Sequence, residues 1–288
     1  MPFTEAIASG RGGGKMCESP SPSREGERRH LMTTYLTRRR ALVTGGTGGI
    51  GGAIAHALTS VGAHVAIADM RKPKSPQPDI AFVPLDVRQA AAVPAAFDAA
   101  EAALGGTIDI LVNAAGIYPC DPILEMTEEA WDRVFDVNLK GMFLVSQECC
   151  RRLVAQGLPG AIVNITSGAA ERARIGAAHY CTSKAGAEML TRAFALEFAA
   201  HGIRVNAVSP GYVEVNSEVN PLSLAYVETI TKSIPLGRAG TPDDIAHVVV
   251  FLCSRETDWV TGASWRADGG SRAGTLGLPL SRPAQAGS

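Results

Sequence analysis

The chain has 288 residues, 46% of them hydrophobic, which is enough for one large domain to bury a substantial core. Its 27 Lys and Arg balance 28 Asp and Glu, and no basic stripe marks the globular part. That balance argues against nucleic acid or a membrane surface as partner and in favour of a small molecule. Cys17, Cys120, Cys149, Cys150, Cys181 and Cys253 form neither a CxxC pair nor a zinc-ligand pattern, so the thiols read as reduced and no metal site is expected.

Residues 1–34 are rich in Gly, Ser, Pro and Arg, as in Gly10 to Lys15 and Ser19 to Arg29. They cannot bury enough apolar surface to offset their ordering entropy, and a disordered extension is expected. A single domain should then fill 35–272, with 273–288 as a C-terminal tail. The extension lacks the apolar stretch of a signal peptide, and no apolar run is long enough to cross a bilayer. The expected location is the cytoplasm.

From Arg40 onward, short β-branched or apolar runs alternate with Ala-rich helical segments. The strand runs are Ala41 to Thr44, His64 to Ala68, Ile80 to Pro84, Ile108 to Asn113, Ala161 to Thr166, Arg204 to Ser209 and Ser264 to Ala267. Helices are expected to start near Ile50, Ala90, Thr127, Ala178 and Thr241, after residues that cap or turn the chain. The link from Asp69 to Ile80 contains three prolines and is too short for a crossover helix, so a loop is expected there. This pattern gives a doubly wound α/β fold of Rossmann type, one seven-stranded parallel sheet with helices on both faces.

Directly after the first strand comes TGGTGGIG, Thr44 to Gly51. Gly45, Gly49 and Gly51 permit a sharp turn, close backbone approach to a pyrophosphate and tight helix packing, with the helix N-terminus facing the negative charge. Glycines also serve ordinary turns, and it is the position between strand and helix that favours a dinucleotide. Asp69, about 20 residues on, can accept hydrogen bonds from an adenine-ribose diol and would repel a 2′-phosphate. NAD is therefore expected rather than NADP, although Arg71, Lys72 and Lys74 close by would attract a phosphate.

Tyr180 and Lys184, in YCTSK, stand four residues apart on one face of an expected helix. A free phenol has a pKa near 10 and is a poor base at neutral pH unless a nearby cation favours its anion. Lys184 can supply that charge, and an exposed helix pair is the plain alternative.

Taken together, TGGTGGIG, LDV at Asp86, NAAG at 113–116, VNLKG at Asn138, NITS ending at Ser167, YCTSK, SPG at Pro210 and Gly211, and ADGG at Asp268 closely resemble the short-chain dehydrogenase/reductase family, the subgroup with TGxxxGxG and YxxxK motifs. The match runs from about Arg39 to Gly270. The resemblance implies an NAD(P)-dependent oxidoreductase that interconverts a secondary alcohol and a ketone. Tyr180 would be the general acid/base, Ser167 the hydrogen-bond donor to the reacting oxygen, Lys184 the ribose ligand that lowers the phenol pKa, and Asn138 the holder of a water. Cofactor contacts would fall on Gly45, Thr47, Gly49, Ile50, Gly51, Asp69, Asp86, Val87, Asn113, Ala114, Gly116, Tyr180, Lys184, Pro210, Gly211 and Val213. Asp86 and Val87 would meet adenine, while Asn113 would mainly steady the central strands. One position departs from the family pattern, since Val215 stands where the family usually has a Thr that binds the nicotinamide carboxamide. Weaker NAD affinity follows, with the Val213 backbone or Asn216 and Ser217 as substitutes.

Residues Tyr212 to Ile234 read as a mobile lid over the substrate pocket. Arg172 and Arg174 read as solvated surface arginines rather than ligands of a substrate carboxylate. The short Asp69 to Ile80 link and ARIGAAHY have some likeness to members that oxidise cyclic dihydrodiols. Apolar faces on the 127–156 segment and the Tyr180 helix, exemplified by Val134, Phe135 and Val145, exceed what the sheet needs, and with the resemblance they imply a homotetramer. The competing functional readings are an NADPH-dependent carbonyl (3-oxoacyl-type) reductase and a nucleotide-sensing module without turnover.

Overall fold

The computed structural model describes residues 35–75, 77–215 and 223–274. The expected extension at 1–34, Asn216, Ser217 and most of the C-terminal tail lie outside those residues. Seven strands, β1 Arg40–Thr44, β2 His64–Asp69, β3 Ile80–Pro84, β4 Ile110–Asn113, β5 Gly160–Ile165, β6 Ile203–Pro210 and β7 Ser264–Ala267, form one sheet. Their order is β3-β2-β1-β4-β5-β6-β7 and every pairing is parallel.

The central strands are apolar at nearly every position because each face is covered. Ala41 and Val43 of β1 point into one core with Ile67, Val112, Val163 and Val208, whereas Leu42 points into the other with Ala66, Leu111, Ile162 and Val205. Helices α1 Gly49–Ser60 and α7 Pro242–Cys253 close the first core through Ile54, Leu58, Ile245 and Leu252. Helices α2 Ala92–Leu104, α4 Met142–Gln156 and α5 Ala178–Phe198 close the second through Phe97, Val145, Leu153 and Phe194.

Side-chain caps open some of the helices, whereas α1, α2 and α5 start without one. Thr127 Oγ1 accepts from the Ala130 N–H ahead of α3 Glu128–Phe135, and Thr241 with Asp244 forms a reciprocal cap at α7. Between α3 and α4 the backbone runs through a π turn, Asp136–Gly141, which the sequence pattern does not reveal. The β2–β3 link carries no helix among its described residues, as its prolines require. β4 begins at Ile110 rather than Ile108, because the preceding Asp109 carboxylate caps Arg40 N–H at 2.9 Å and pairs with Arg39.

Val134 and Val145 are fully buried inside the chain's own core and form no surplus apolar face. The exposed apolar side chains of these helices are instead Trp131, Phe143, Val154, Met189 and Leu196. Helix α6 Leu224–Lys232, within the expected lid, has no buried residue. No helix among the described residues is long and apolar enough to cross a membrane.

Candidate active site

The sheet order reverses between β1 and β4, and a crevice opens beyond the carboxyl ends of such strands. At the end of β1 the chain turns at Gly45, whose φ of +66° suits glycine and whose N–H donates to Ala68 O at 2.8 Å. A Cβ on Gly45 would stand 2.7 Å from the Ala115 backbone, and one on Gly51 only 2.2 Å from Gly45 O. The turn is thus stripped of side chains where a pyrophosphate would meet the start of α1. Gly49 opens α1, and its missing Cβ would meet only the Val215 side chain, at 2.9 Å. Ile50 packs half-buried against the adjoining core.

Asp69 ends β2 and faces back to this turn. Its Oδ2 accepts from Thr47 N at 3.2 Å and Thr47 Oγ1 at 2.6 Å, and its Oδ1 accepts from Arg71 N at 3.1 Å. The carboxylate is therefore held in place by the glycine turn, with one acceptor site left on Oδ1 for a ribose hydroxyl. Asp86 is engaged more fully: Arg88 donates to it through N, Nε and Nη2, which holds its carboxyl below the usual range. Val87 is buried against Gly141.

Asn113 faces inward. Its Nδ2 donates to Ser146 Oγ at 2.9 Å and Asn164 Oδ1 at 2.8 Å, and Asn164 Nδ2 donates on to Thr191 Oγ1. This chain ties β4 to β5, α4 and α5, and Asn113 Oδ1 is the one buried side-chain polar atom among the described residues without a partner. Ala114 packs on the core, while Gly116 is open: a Cβ there would lie 3.4 Å from Asn138 Oδ1 and 3.6 Å from Lys184 Nζ.

Asn138 sits buried inside the π turn. Its Oδ1 accepts from Ile117 N at 2.8 Å, and its Nδ2 donates to Ile117 O at 2.9 Å and Ser183 Oγ at 3.2 Å. Both amide donors are spent on protein partners, so the side chain pins the loop after β4 to α5. Ser167 follows β5, and its Oγ accepts from Ala169 N at 3.2 Å. Burial raises the Tyr180 pKa, while the neighbouring Ser167 hydroxyl and the charge of Arg174 oppose the rise. Lys184 Nζ lies 5.8 Å from the Tyr180 ring centre and donates to Ile165 O at 2.8 Å. Burial pushes its own pKa down to about 8.

On the far side, Pro210 ends β6 and Gly211 passes so near Asp268 that a Cβ would stand 2.8 Å from its Cα. Glu214 N–H donates to Gly240 O and Gly240 N–H to Tyr212 O. This parallel bridge uses the groups that flank Val213 and leaves its own amide for another acceptor or donor.

Sequence reasoning missed Arg272. Its buried guanidinium donates to Asp268 Oδ2 at 2.8 Å, Ser209 Oγ at 2.9 Å and Ser209 O at 2.9 Å, and it abuts Gly168. It joins the segment before Pro210 to the turn after Ser167, a link no linear pattern carries.

A family model described as enoyl-(acyl carrier protein) reductase matches residues 45–272. The chain belongs to the short-chain dehydrogenase/reductase family. D-erythrulose reductase from Gallus gallus is 40% identical over 240 residues, covering 81% of this chain and 95% of that protein. L-xylulose reductase from Mesocricetus auratus is 38% identical over 247 residues, covering 83% and 98%. A solved short-chain type dehydrogenase/reductase from Mycobacterium marinum superposes with a TM-score of 0.78 at 36% identity, covering 85% of this chain and 99% of that one. This dehydrogenase is accordingly an NAD(P)-dependent oxidoreductase that interconverts secondary alcohols and ketones.

Proposed function

We propose that the enzyme uses Tyr180 as its proton-transfer group on a small polyhydroxy or hydroxy-acid substrate, with NAD as the preferred cofactor. The observation that carries this reading is Lys184 Nζ 5.8 Å from the Tyr180 ring centre and facing the open backbone at Gly116, beside a crevice whose glycines leave a dinucleotide room. When bound, nicotinamide supplies the hydride chemistry. Tyr180 gives a proton to the carbonyl oxygen in reduction and takes one from the hydroxyl in oxidation. Ser167 donates a hydrogen bond to that oxygen and fixes its position. Lys184, anchored by Ile165 O, faces the open backbone at Gly116 and passes the proton onward from the phenol. Asn138 keeps Ile117 and Ser183 in register with that path.

The Asp69 carboxylate, steadied by Thr47, supports NAD over NADP through its remaining acceptor site on Oδ1 and its repulsion of a 2′-phosphate. Gly45, Gly49, Gly51, Gly116, Pro210, Gly211 and the Val213 backbone line the remainder of the cofactor's path. Exposed apolar residues on α3, α4 and α5 support a homotetramer, and the absence of a membrane-spanning helix among the described residues agrees with a cytoplasmic enzyme. The test is the near-ultraviolet absorbance of reduced nicotinamide while alcohols, polyols and hydroxy acids are offered with NAD or NADP. Tyr180→Phe should lower kcat by about a thousandfold with NADH binding intact. Turnover that survives in this variant would remove Tyr180 from the reaction.

A further inference from the structure

The loop between Ser167 and Tyr180 carries two exposed arginines with different surroundings. Arg172 donates through Nη1 to the Ser271 carbonyl at 3.1 Å, a tie to the segment after β7. Arg174 has no carboxylate partner among the described residues. Its Nη1 donates instead to the Tyr226 hydroxyl on α6, at 3.4 Å. The nearby Glu171 is already held by Arg266 and Arg272.

Arg174 stands at the entry to α5, its carbonyl accepting from Ala177 N at 3.1 Å, and its charge opposes the burial-driven rise of the Tyr180 pKa. Tyr118 meets the Tyr180 ring edge-on, with ring centres 6.4 Å apart. Arg174 therefore stands in the loop between Ser167 and Tyr180, bridged to the lid helix by one long bond. A guanidinium carries five N–H donors, and its planar fork matches a carboxylate better than a single hydroxyl. Tyr226, whose oxygen accepts from Arg174, keeps its own proton to donate.

We propose that Arg174 and Tyr226 form an oxyanion receptor on the substrate side of the site, so that the preferred substrate is a hydroxy acid or the matching oxo acid rather than an uncharged polyol. The inference rests on the reading of Tyr180 given above. A carboxylate seated there accepts two N–H bonds from Arg174 and one O–H bond from Tyr226, and so draws α6 toward the Ser167 loop. A phosphate monoester offers the same oxyanion chemistry.

Three probes that differ only at one terminus separate these cases: sorbitol, D-gluconate and sorbitol 6-phosphate. Each is assayed with NAD on the full chain, on Arg174→Gln and on Tyr226→Phe, at the plateau of each variant's pH profile so that lost charge beside Tyr180 does not imitate lost binding. Wild type should favour D-gluconate over sorbitol in kcat/KM by about tenfold or more. Arg174→Gln should lose about thirtyfold on D-gluconate, mostly in KM, and under about threefold on sorbitol. Tyr226→Phe should lose about fivefold on D-gluconate alone.

Sorbitol 6-phosphate ahead of D-gluconate, with the same dependence on Arg174, supports the receptor and identifies phosphate as its anion. Sorbitol ahead of both, or equal losses on all probes in Arg174→Gln, overturns the proposal. Thermal melting of the NADH-loaded protein tests the receptor without turnover. An anionic probe should raise the melting temperature of wild type more than sorbitol does, and should fail to do so in Arg174→Gln. A missing difference sinks the receptor, whereas a clear difference without turnover of any probe sinks the reaction proposed above and leaves the receptor standing.

Discussion

Lys184 holds its amino nitrogen 2.8 Å from the Ile165 carbonyl in surroundings that push its pKa from 10.5 down to about 8. The folded protein thus binds this proton less tightly than the unfolded chain. The resulting penalty is fully present below pH 8, shrinks as pH rises toward 10.5 and is gone above it. A shift of this size corresponds to about 3 kcal/mol, against which the bond to Ile165 O returns about 1 kcal/mol. Lys184→Met should therefore stabilise the protein by about 2 kcal/mol at pH 7, and by much less at pH 10, in urea melts. Its kcat should fall about a hundredfold or more. The Tyr180 and Lys184 pair was legible because a spacing of four on a helix fixes a shared face. Arg174 was not, since only the lid helix, distant in sequence, distinguishes it from a solvated arginine. Val215 was visible as an odd residue, but its contact with the glycine turn at Gly49 belongs to tertiary structure. Val215→Thr, which adds a hydroxyl beside that turn, should lower KM for NAD about threefold, and an unchanged KM would show that the Val213 backbone suffices.

At the level of elements, the turn between β1 and α1 tolerates least. A methyl group on Gly51 has no flexible neighbour to displace, because it would meet the Gly45 carbonyl at 2.2 Å. Gly51→Ala should cost about 1–3 kcal/mol of stability and weaken NADH binding at least tenfold in a fluorescence titration. This turn and all seven strands were readable because parallel strands buried on both faces leave unbroken apolar runs between helical segments. The π turn at Asp136–Gly141 was not readable. DVNLKG suits an ordinary α-helix, and the wider turn accompanies bonds from the Asn138 amide to Ile117 and Ser183, partners 21 and 45 residues away. Asn138→Ala should release those bonds and lower both stability and kcat, while Asn138→Asp, which keeps one acceptor, should retain more stability in the same melts.

For the whole molecule, apolar side chains that the monomer leaves uncovered form the testable feature. Leu196 on α5 is 84% exposed, and its replacement by Glu in a monomer should change stability by under about 0.5 kcal/mol. In the homotetramer proposed above, Leu196→Glu should instead lower the mass measured by light scattering, and an unchanged mass would exclude this face from assembly. Arg272 has a consequence of a different kind, for the order in which the protein is made. It lies 63 residues beyond Ser209, yet it holds Ser209 and abuts Gly168. Synthesis proceeds from the N-terminus at about 5–20 residues per second, so the glycine turn emerges many seconds before this arginine. A nascent chain can shape its nucleotide half early, but the clasp between the Ser167 turn and the Pro210 segment closes only after the segment beyond β7 has emerged. A premature stop a few codons before Arg272 would therefore release a chain with every strand present and that clasp open.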